Sequence, residues 1–441
     1  MHPIVVASAT SAENMNVLFM CLSFIGSYQD KVNKYVTIFV NFVMIKSYVM
    51  KKISDRIYYV GVNDEDKVLF EGLWPLPYGV SYNSYLVADE KVALIDTVES
   101  GFEEEYLEEI HQAIGDRQID YLVVNHMEPD HSSLISLICA NYPDVKIVVN
   151  AKTVPMIKGY HGTPEERLLV VGDGDSLSLG SCSLSFFMVP MVHWPETMVT
   201  WLAEEKTVFS GDAFGTFGAV AEDPVDADGV FDQYRDEMIR YYSNIVGKYG
   251  VPVQAALKKL SGLPVGRICS THGPVWETCV ADVVALYDRM SRYEVERGVC
   301  IVYGSMYGNT AAAADALAME LEKRGIPYAI HDLACNNAGE LGVSGALRDV
   351  FKYDTVVAGS PTYNNGIFPP VETFMNALQA RLIKGRRFYA FGSYTWAPAS
   401  VRLLNERAAA LGFELLGDGL PFPQAYTNEK CDMSKLADLL A

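Results

Sequence analysis

None of the eight cysteines (Cys21, Cys139, Cys182, Cys269, Cys279, Cys300, Cys335 and Cys431) stands in a C-x-x-C pair. That absence excludes an iron–sulfur, rubredoxin-type or thioredoxin-type centre within the chain, and scattered thiols in a protein this large point to a reducing, cytoplasmic setting. Positive charge is scarce: 35 Lys and Arg against 55 Asp and Glu leave a formal net charge of −20. Neither a nucleic-acid backbone nor an anionic membrane is then expected as the main partner. Long apolar runs are also missing, since Val17 to Gly26 and Tyr35 to Val49 are both short for a bilayer span and Lys46 interrupts the second. These runs fall in a segment, residues 1–49, that matches poorly with the rest. The expectation is a natural start at Met50 with an over-extended reading frame before it; a membrane anchor is the alternative. There is no internal repeat, no low-complexity tract, no Walker lysine and no G-x-G-x-x-G.

What is present is a chain of 441 residues, half of them hydrophobic, long enough for two or three cored domains. From Ile57 to Met188 short β-rich runs at 57–60, 84–87, 91–96, 121–124, 146–149, 168–171 and 183–188 alternate with turns and helical stretches at 102–114 and 134–140. The mixed charges at 287–298 suggest a boundary. Beyond it strands at 299–303, 328–332, 355–358 and 387–392 alternate with helices at 311–323 and 371–380, as in a doubly wound parallel sheet. The expected division is a doubtful extension at 1–49, one domain at 50–296 and a second at 297–441.

The chemistry concentrates where strands end. His126-Met-Glu128-Pro-Asp130-His131 follows the apolar run Tyr121 to Val124. Two imidazoles and two carboxylates exceed what a closed, thiolate-rich structural zinc site uses, and mixed nitrogen and oxygen donors suit iron or manganese. On an extended segment, His126, Glu128 and Asp130 alternate towards one pocket while His131 reaches a second ion. His193, Asp212 and His272 each follow another apolar strand beside a Gly or Pro turn. Taken singly, each has an ordinary structural reading; as a set they form a metal constellation.

A second constellation lies downstream. Ser305, Met306, Tyr307, Gly308, Asn309 and Thr310 run from a strand into a helix, with hydroxyls and helix-start N–H groups suited to a phosphate. Two later loops, Pro361, Thr362, Tyr363, Asn364, Asn365 and Gly366, then Ser393, Tyr394 and Trp396, offer aromatic faces and amides for a flat heteroaromatic ring. Tyr363 and Trp396 are the candidates to flank it.

The order and spacing of these residues resemble the metallo-β-lactamase-like fold, with Glu128 where zinc hydrolases carry a second histidine. That exchange, the following flavodoxin-like loops and the segments Trp74 to Asn83, His193-Trp194-Pro195 and Ser210-Gly211-Asp212 are similar to the flavodiiron proteins from Met50 onward. The resemblance implies an α/β chain: an N-terminal αββα sandwich, then a flavodoxin-like sheet holding FMN. It implies two irons, one on His126, Glu128 and His193, the other on Asp130, His131 and His272, with Asp212 bridging. The implied activity is reduction of dioxygen to water, of nitric oxide to nitrous oxide, or of both. Rubredoxin or a similar small donor would supply electrons to a head-to-tail homodimer or a dimer of dimers. A metal-dependent hydrolase and a non-catalytic flavin electron carrier are the competing readings.

Overall fold

Strict alternation along the first strands decides the layering. The computed structural model describes residues 51–334 and 341–441; the expectations for residues 1–50, with Cys21, and for Cys335 lie outside the described residues. In Tyr85–Ala88, Tyr85 and Val87 face one cluster and Leu86 the other; in Val92–Ile95, Ala93 and Ile95 oppose Val92 and Leu94. Such a strand buries both faces, so each sheet side needs its own cover.

The first sheet has seven strands in the order Lys51–Lys52, Ile57–Tyr59, Tyr85–Ala88, Val92–Ile95, Tyr121–Val123, Lys146–Asn150 and Leu168–Val171. A second sheet of five strands runs Ser176–Ser178, Ser183–Met188, Met198–Leu202, Thr207–Gly211 and Arg267–Ser270. Ile57, Ile95, Val123 and Val148 of the first meet Leu184, Phe186, Phe209 and Cys269 of the second. Helices Glu103–Ile114, Ile135–Asn141 and Thr153–His161 cover the first sheet's outer face through residues such as Tyr106, Ile110, Ile138 and Ile157. The result is the expected αββα sandwich.

Strand Glu296–Tyr303 opens a third sheet, ordered Tyr328–Asp332, Glu296–Tyr303, Tyr353–Gly359, Arg387–Tyr394, Glu414–Leu415, with Leu420–Pro423 also on Arg387–Tyr394. All its pairings are parallel. The order 2-1-3-4-5 is the flavodoxin-like winding. The two halves share a core: Tyr242 meets both Tyr287 and Phe351, at 5.0 and 5.9 Å between ring centroids.

One local expectation needs correcting. The expected helix is present as Ile135–Asn141, but a separate helical turn, Pro129–Ser132, precedes it, with extended Glu128 as its cap. Proline at the first helical position needs no N–H partner and carries a preset φ. Asp130 and His131 therefore ride a helical turn, and the alternation argument applies to His126 and Glu128 alone.

Two asparagines fix the ends of the sandwich strands. Asn125 accepts from Met198 N and Thr200 Oγ1 at 3.0 and 2.7 Å, joining the sheets immediately before His126. Asn83 donates to Ser270 O and Gly273 O, both at 2.8 Å, and accepts from Tyr59 Oη at 2.8 Å, holding the turn around His272. Asn83→Ala leaves several buried groups unpaired and should lower stability by about 3 kcal/mol. Urea unfolding of the metal-free protein measures this.

Candidate metal centre and flavin site

His126, Asp212 and His272 lie just past the ends of Tyr121–Val123, Thr207–Gly211 and Arg267–Ser270, so they converge at one edge of the sandwich. The turn after Ser183–Met188 adds His193. All seven expected donors are buried and assemble as two adjoining groups: His126, Glu128, His193 and Asp212, then Asp130, His131 and His272. Asp130 thus falls with the second group. The helical turn carries it away from Glu128, contrary to the alternating reading.

Asp212 faces both groups. Its Oδ2 is 2.9 Å from His193 Nε2 and 3.7 Å from His126 Nε2, while Oδ1 is 2.8 Å from His131 Nε2 and 3.9 Å from His272 Nε2. Glu128 Oε2 lies 3.0 Å from His193 Nε2 and 3.2 Å from His126 Nε2. On the other side, Asp130 is 3.3 Å from His131 Nε2 and 3.4 Å from His272 Nε2. Although these atoms are close, both Asp130 oxygens, both His131 nitrogens and His272 Nε2 lack a hydrogen bond of acceptable geometry. Buried polar atoms are seldom left so. Convergent imidazole and carboxylate donors without partners fit a pair of cations, and the set contains no thiolate, as suits iron.

Supporting contacts were not visible in the sequence. Glu196 Oε1 accepts from His126 Nδ1 at 2.9 Å and from Met127 N at 3.0 Å. Ser81 O accepts from His272 Nδ1 at 2.7 Å, and Thr271 Oγ1 donates to Asp212 Oδ1 at 2.6 Å. These bonds turn each Nε2 towards the centre and hold it there. Only Glu196 left a trace, three positions after His193. Trp194 packs edge-on to His126 with centroids 5.2 Å apart, and Phe70 does the same to His272 at 5.3 Å. Tyr241, 5.4 Å from the His272 ring, has a buried hydroxyl without a partner. Burial and the charges of Asp212, Asp130 and Glu128 push its pKa well up, so it stays protonated.

The mouth is an opening of about 400 Å³ lined by Lys67, Phe70, Glu71, Glu99, Glu128 and Asp130. Glu71 is exposed along its stem, but its carboxyl turns in against Trp74 and Glu128. That burial and the Glu128 charge raise it to about 7. His161 is not among the residues lining this mouth and hydrogen-bonds Ser136 Oγ at 3.1 Å.

In the flavodoxin-like half, the first two loops follow the ends of Glu296–Tyr303 and Tyr353–Gly359, while Ser393 and Tyr394 are the last residues of strand Arg387–Tyr394 and Trp396 lies just beyond it. Helix Asn309–Lys323 starts after Gly308 at φ 83° with no side-chain cap, leaving its first N–H groups for an anion. Ser305 Oγ accepts from Gly308 N, and Thr310 Oγ1 lies 3.0 Å from Ser393 Oγ, bringing the first and third loops together. Asn364 and Asn365, at φ 48° and 57°, form the left-handed tip of the hairpin Thr362–Tyr363/Gly366–Ile367, a conformation asparagine tolerates. No Lys or Arg lies in these loops. A phosphate would be held by neutral donors, with Tyr307, Tyr363 and Trp396 offering exposed ring faces; Tyr307 and Trp396 are 88% and 77% exposed. This cradle fits a flavin mononucleotide.

Comparison with known proteins agrees with this geometry. The family model described as ODP family beta lactamase matches residues 80–273, and the flavodoxin model matches residues 301–435. An anaerobic nitric oxide reductase flavorubredoxin of Escherichia coli is 33% identical over 373 residues, covering 82% of this chain and 76% of the relative. An uncharacterized protein of Methanocaldococcus jannaschii is 31% identical, covering 83% of this chain and 91% of its own. The rubredoxin oxygen:oxidoreductase of Desulfovibrio gigas superposes with TM-score 0.81 at 29% identity, and the flavodiiron protein of Giardia intestinalis with 0.82 at 27%. Both cover 89% of this chain and 97% of theirs.

Two outcomes follow from the electrostatics. Glu196→Gln keeps the volume but weakens the hold on His126, and should lower metal affinity roughly 10- to 100-fold in an anaerobic chelator competition. Burial opposes charging the imidazoles, yet facing carboxylates prevail. Asp130 and Asp212 raise His131 to about 9, and hydrogen bonds to Asp212 and Glu128 raise His193 to about 9. Without metal, protons occupy the cation's place. The stability they contribute is full below about 6.5, the ordinary histidine value, and is lost as pH rises through about 9. Melting temperature of the stripped protein should therefore fall across that window, while the metal-loaded protein, whose imidazoles are neutral ligands, should not follow it.

Proposed function

The chain belongs to the flavodiiron proteins, and from that premise we propose how its own residues support reduction of dioxygen or nitric oxide with electrons passed through FMN to a diiron centre. When bound, two ferrous ions and reduced FMN supply up to four electrons: dioxygen with four protons and four electrons gives two waters, and two nitric oxides with two protons and two electrons give nitrous oxide and water.

In this reading His126, Glu128 and His193 would hold one iron and Asp130, His131 and His272 the other, with Asp212 available to both. The observation that carries it is the division of Asp212, Oδ2 towards one imidazole group and Oδ1 towards the other. Glu196, Ser81 O and Thr271 keep the donors oriented. Tyr241 holds a proton at Oη beside the carboxylates. Phe70 and Trp194 exclude water from two sides of the imidazole cluster. The three downstream segments would hold FMN, with Tyr363 and Trp396 as the side chains that would flank its ring. Residues 50–296 and 297–441 are taken as the two functional halves.

A donor of the rubredoxin type fits this reading, since the 441 residues contain no C-x-x-C pair to hold an iron–sulfur or rubredoxin-type centre. A head-to-tail dimer is supported by two exposed apolar patches, Met306, Tyr307 and Trp396 at the flavin loops and Val68, Leu73 and Tyr78 beside the metal mouth. A cytoplasmic setting accords with the six described free cysteines. Among the described residues no helix is long and apolar enough to cross a membrane. The carboxylates at the mouth disfavour an anionic hydrolase substrate.

Anaerobic stopped-flow mixing of the FMN- and iron-loaded, reduced protein with either gas tests the proposal. Fast oxidation of flavin and iron together, with water or nitrous oxide as product, is expected. Asp212→Asn should abolish it, and Leu73→Glu should dissociate the dimer in sedimentation while uncoupling flavin oxidation from iron. Turnover without donor electrons would establish a hydrolase instead.

A further inference from the structure

The strap over the metal mouth is a short hairpin, Leu69–Phe70 paired with Trp74–Pro75. Its inner residue, Phe70, packs on His272, Phe217 and Tyr241. Its outer residues Val68 and Leu73 are exposed, and only two strand residues pair on each side. A two-stranded ribbon this short has little stability of its own. Something else must hold it.

Two arginines do so, one from each half of the chain. Arg240, fully buried and stacked 4.3 Å over Phe217, donates to Pro75 O at 2.8 Å and to Ser344 Oγ of the flavodoxin-like half at 3.1 Å. Arg381, at the end of helix Pro369–Ala380 in that half, lies 5.1 Å over the Trp74 ring. Its Nε donates to Ser243 O at 2.7 Å and its Nη2 to Asn244 O at 2.9 Å. Those carbonyls belong to the π-helical turn Tyr242–Val246, which follows Tyr241 directly. Wide turns of this kind disturb the regular backbone bonding and are common beside functional sites. Trp74 in turn donates through Nε1 to Glu71 Oε2 at 2.9 Å, and Glu71 and Glu128 both line the mouth.

We propose that Arg381 is a positioning residue through which the flavodoxin-like half sets the pose of the strap and of the Tyr241 turn, and so the closure of the metal pocket in the same chain. One planar guanidinium serves both walls: its face takes the Trp74 ring, and its edge takes the two carbonyls beside Tyr241. A lysine could keep the ring contact but not the fork. The flavodoxin-like half thereby acts on the metal centre mechanically as well as holding the flavin. The inference rests on the preceding reading only for the identity of the ions.

Amide hydrogen exchange on the full chain tests it, with and without iron. The reporting groups are Leu73 N and Leu76 N, which donate within the strap to Phe70 O and Val68 O. Arg381→Ala should speed their exchange about 10-fold or more, leaving strands Glu296–Tyr303 and Val92–Ile95 at wild-type protection. Arg381→Lys should fall between the two. Iron removal by a chelator should accelerate in the same order, with the FMN spectrum unchanged. Trp74→Leu removes the ring from the other side and should reproduce the strap effect if Arg381→Ala does not fold. Unchanged strap exchange in the folded variants, or loosening spread equally over the chain, overturns the proposal. If the wild-type chain takes up no iron, the diiron reading fails, yet exchange in the metal-free protein still decides the role of Arg381.

Discussion

A single buried carboxylate shared by two imidazole clusters governs this molecule. Asp212 is almost fully enclosed, and placing an ionised group there is unfavourable unless positive charge meets it on both sides. Raised proton affinity at His126, His131 and His193 supplies that charge in the metal-free molecule, and bound cations would supply it when loaded, so the same geometry serves both states. The strand ends that carry Asp212 and His272 are parallel neighbours, Thr207–Gly211 beside Arg267–Ser270, which keeps these two donors in fixed register.

Around that carboxylate, rigidity comes from buried hydrogen bonds. Asn83 and Asn125 tie strand ends to turns, and Glu196 and Ser81 O set the imidazole rings. The mouth is different: a two-residue ribbon bearing Phe70, held by Arg240 and Arg381. A tight floor and a lightly built roof suit a small gaseous substrate that must enter while bulk water is restrained. The flavin cradle follows a third pattern, with uncharged donors for the phosphate and exposed rings that ask for cover by another surface.

Much of this was legible beforehand because strand ends are local events. An apolar run followed by a turn and a metal-capable side chain identifies His126, His193, Asp212 and His272 without knowledge of the fold. The doubly wound parallel sheet followed from strand–helix rhythm, the αββα layering was implied by the family resemblance, and the 2-1-3-4-5 order came from the structure. The separate turn Pro129–Ser132 was not legible, since apolar periodicity marks only the helix Ile135–Asn141 that follows, whereas proline's preset φ starts a turn earlier. That turn places Asp130 with the second donor group, as the family resemblance implies and strand alternation does not.

The amino-acid order by itself determined which donors exist, which strands deliver them and which loops can cradle a flavin, because each depends on neighbours a few residues apart. Only the tertiary structure decided the partition of Asp212 between two clusters, the bond from Glu196 to His126 and the reach of Arg381 to Trp74. Those contacts join positions tens to hundreds of residues distant, and no local period encodes where such side chains meet once the sheets have packed.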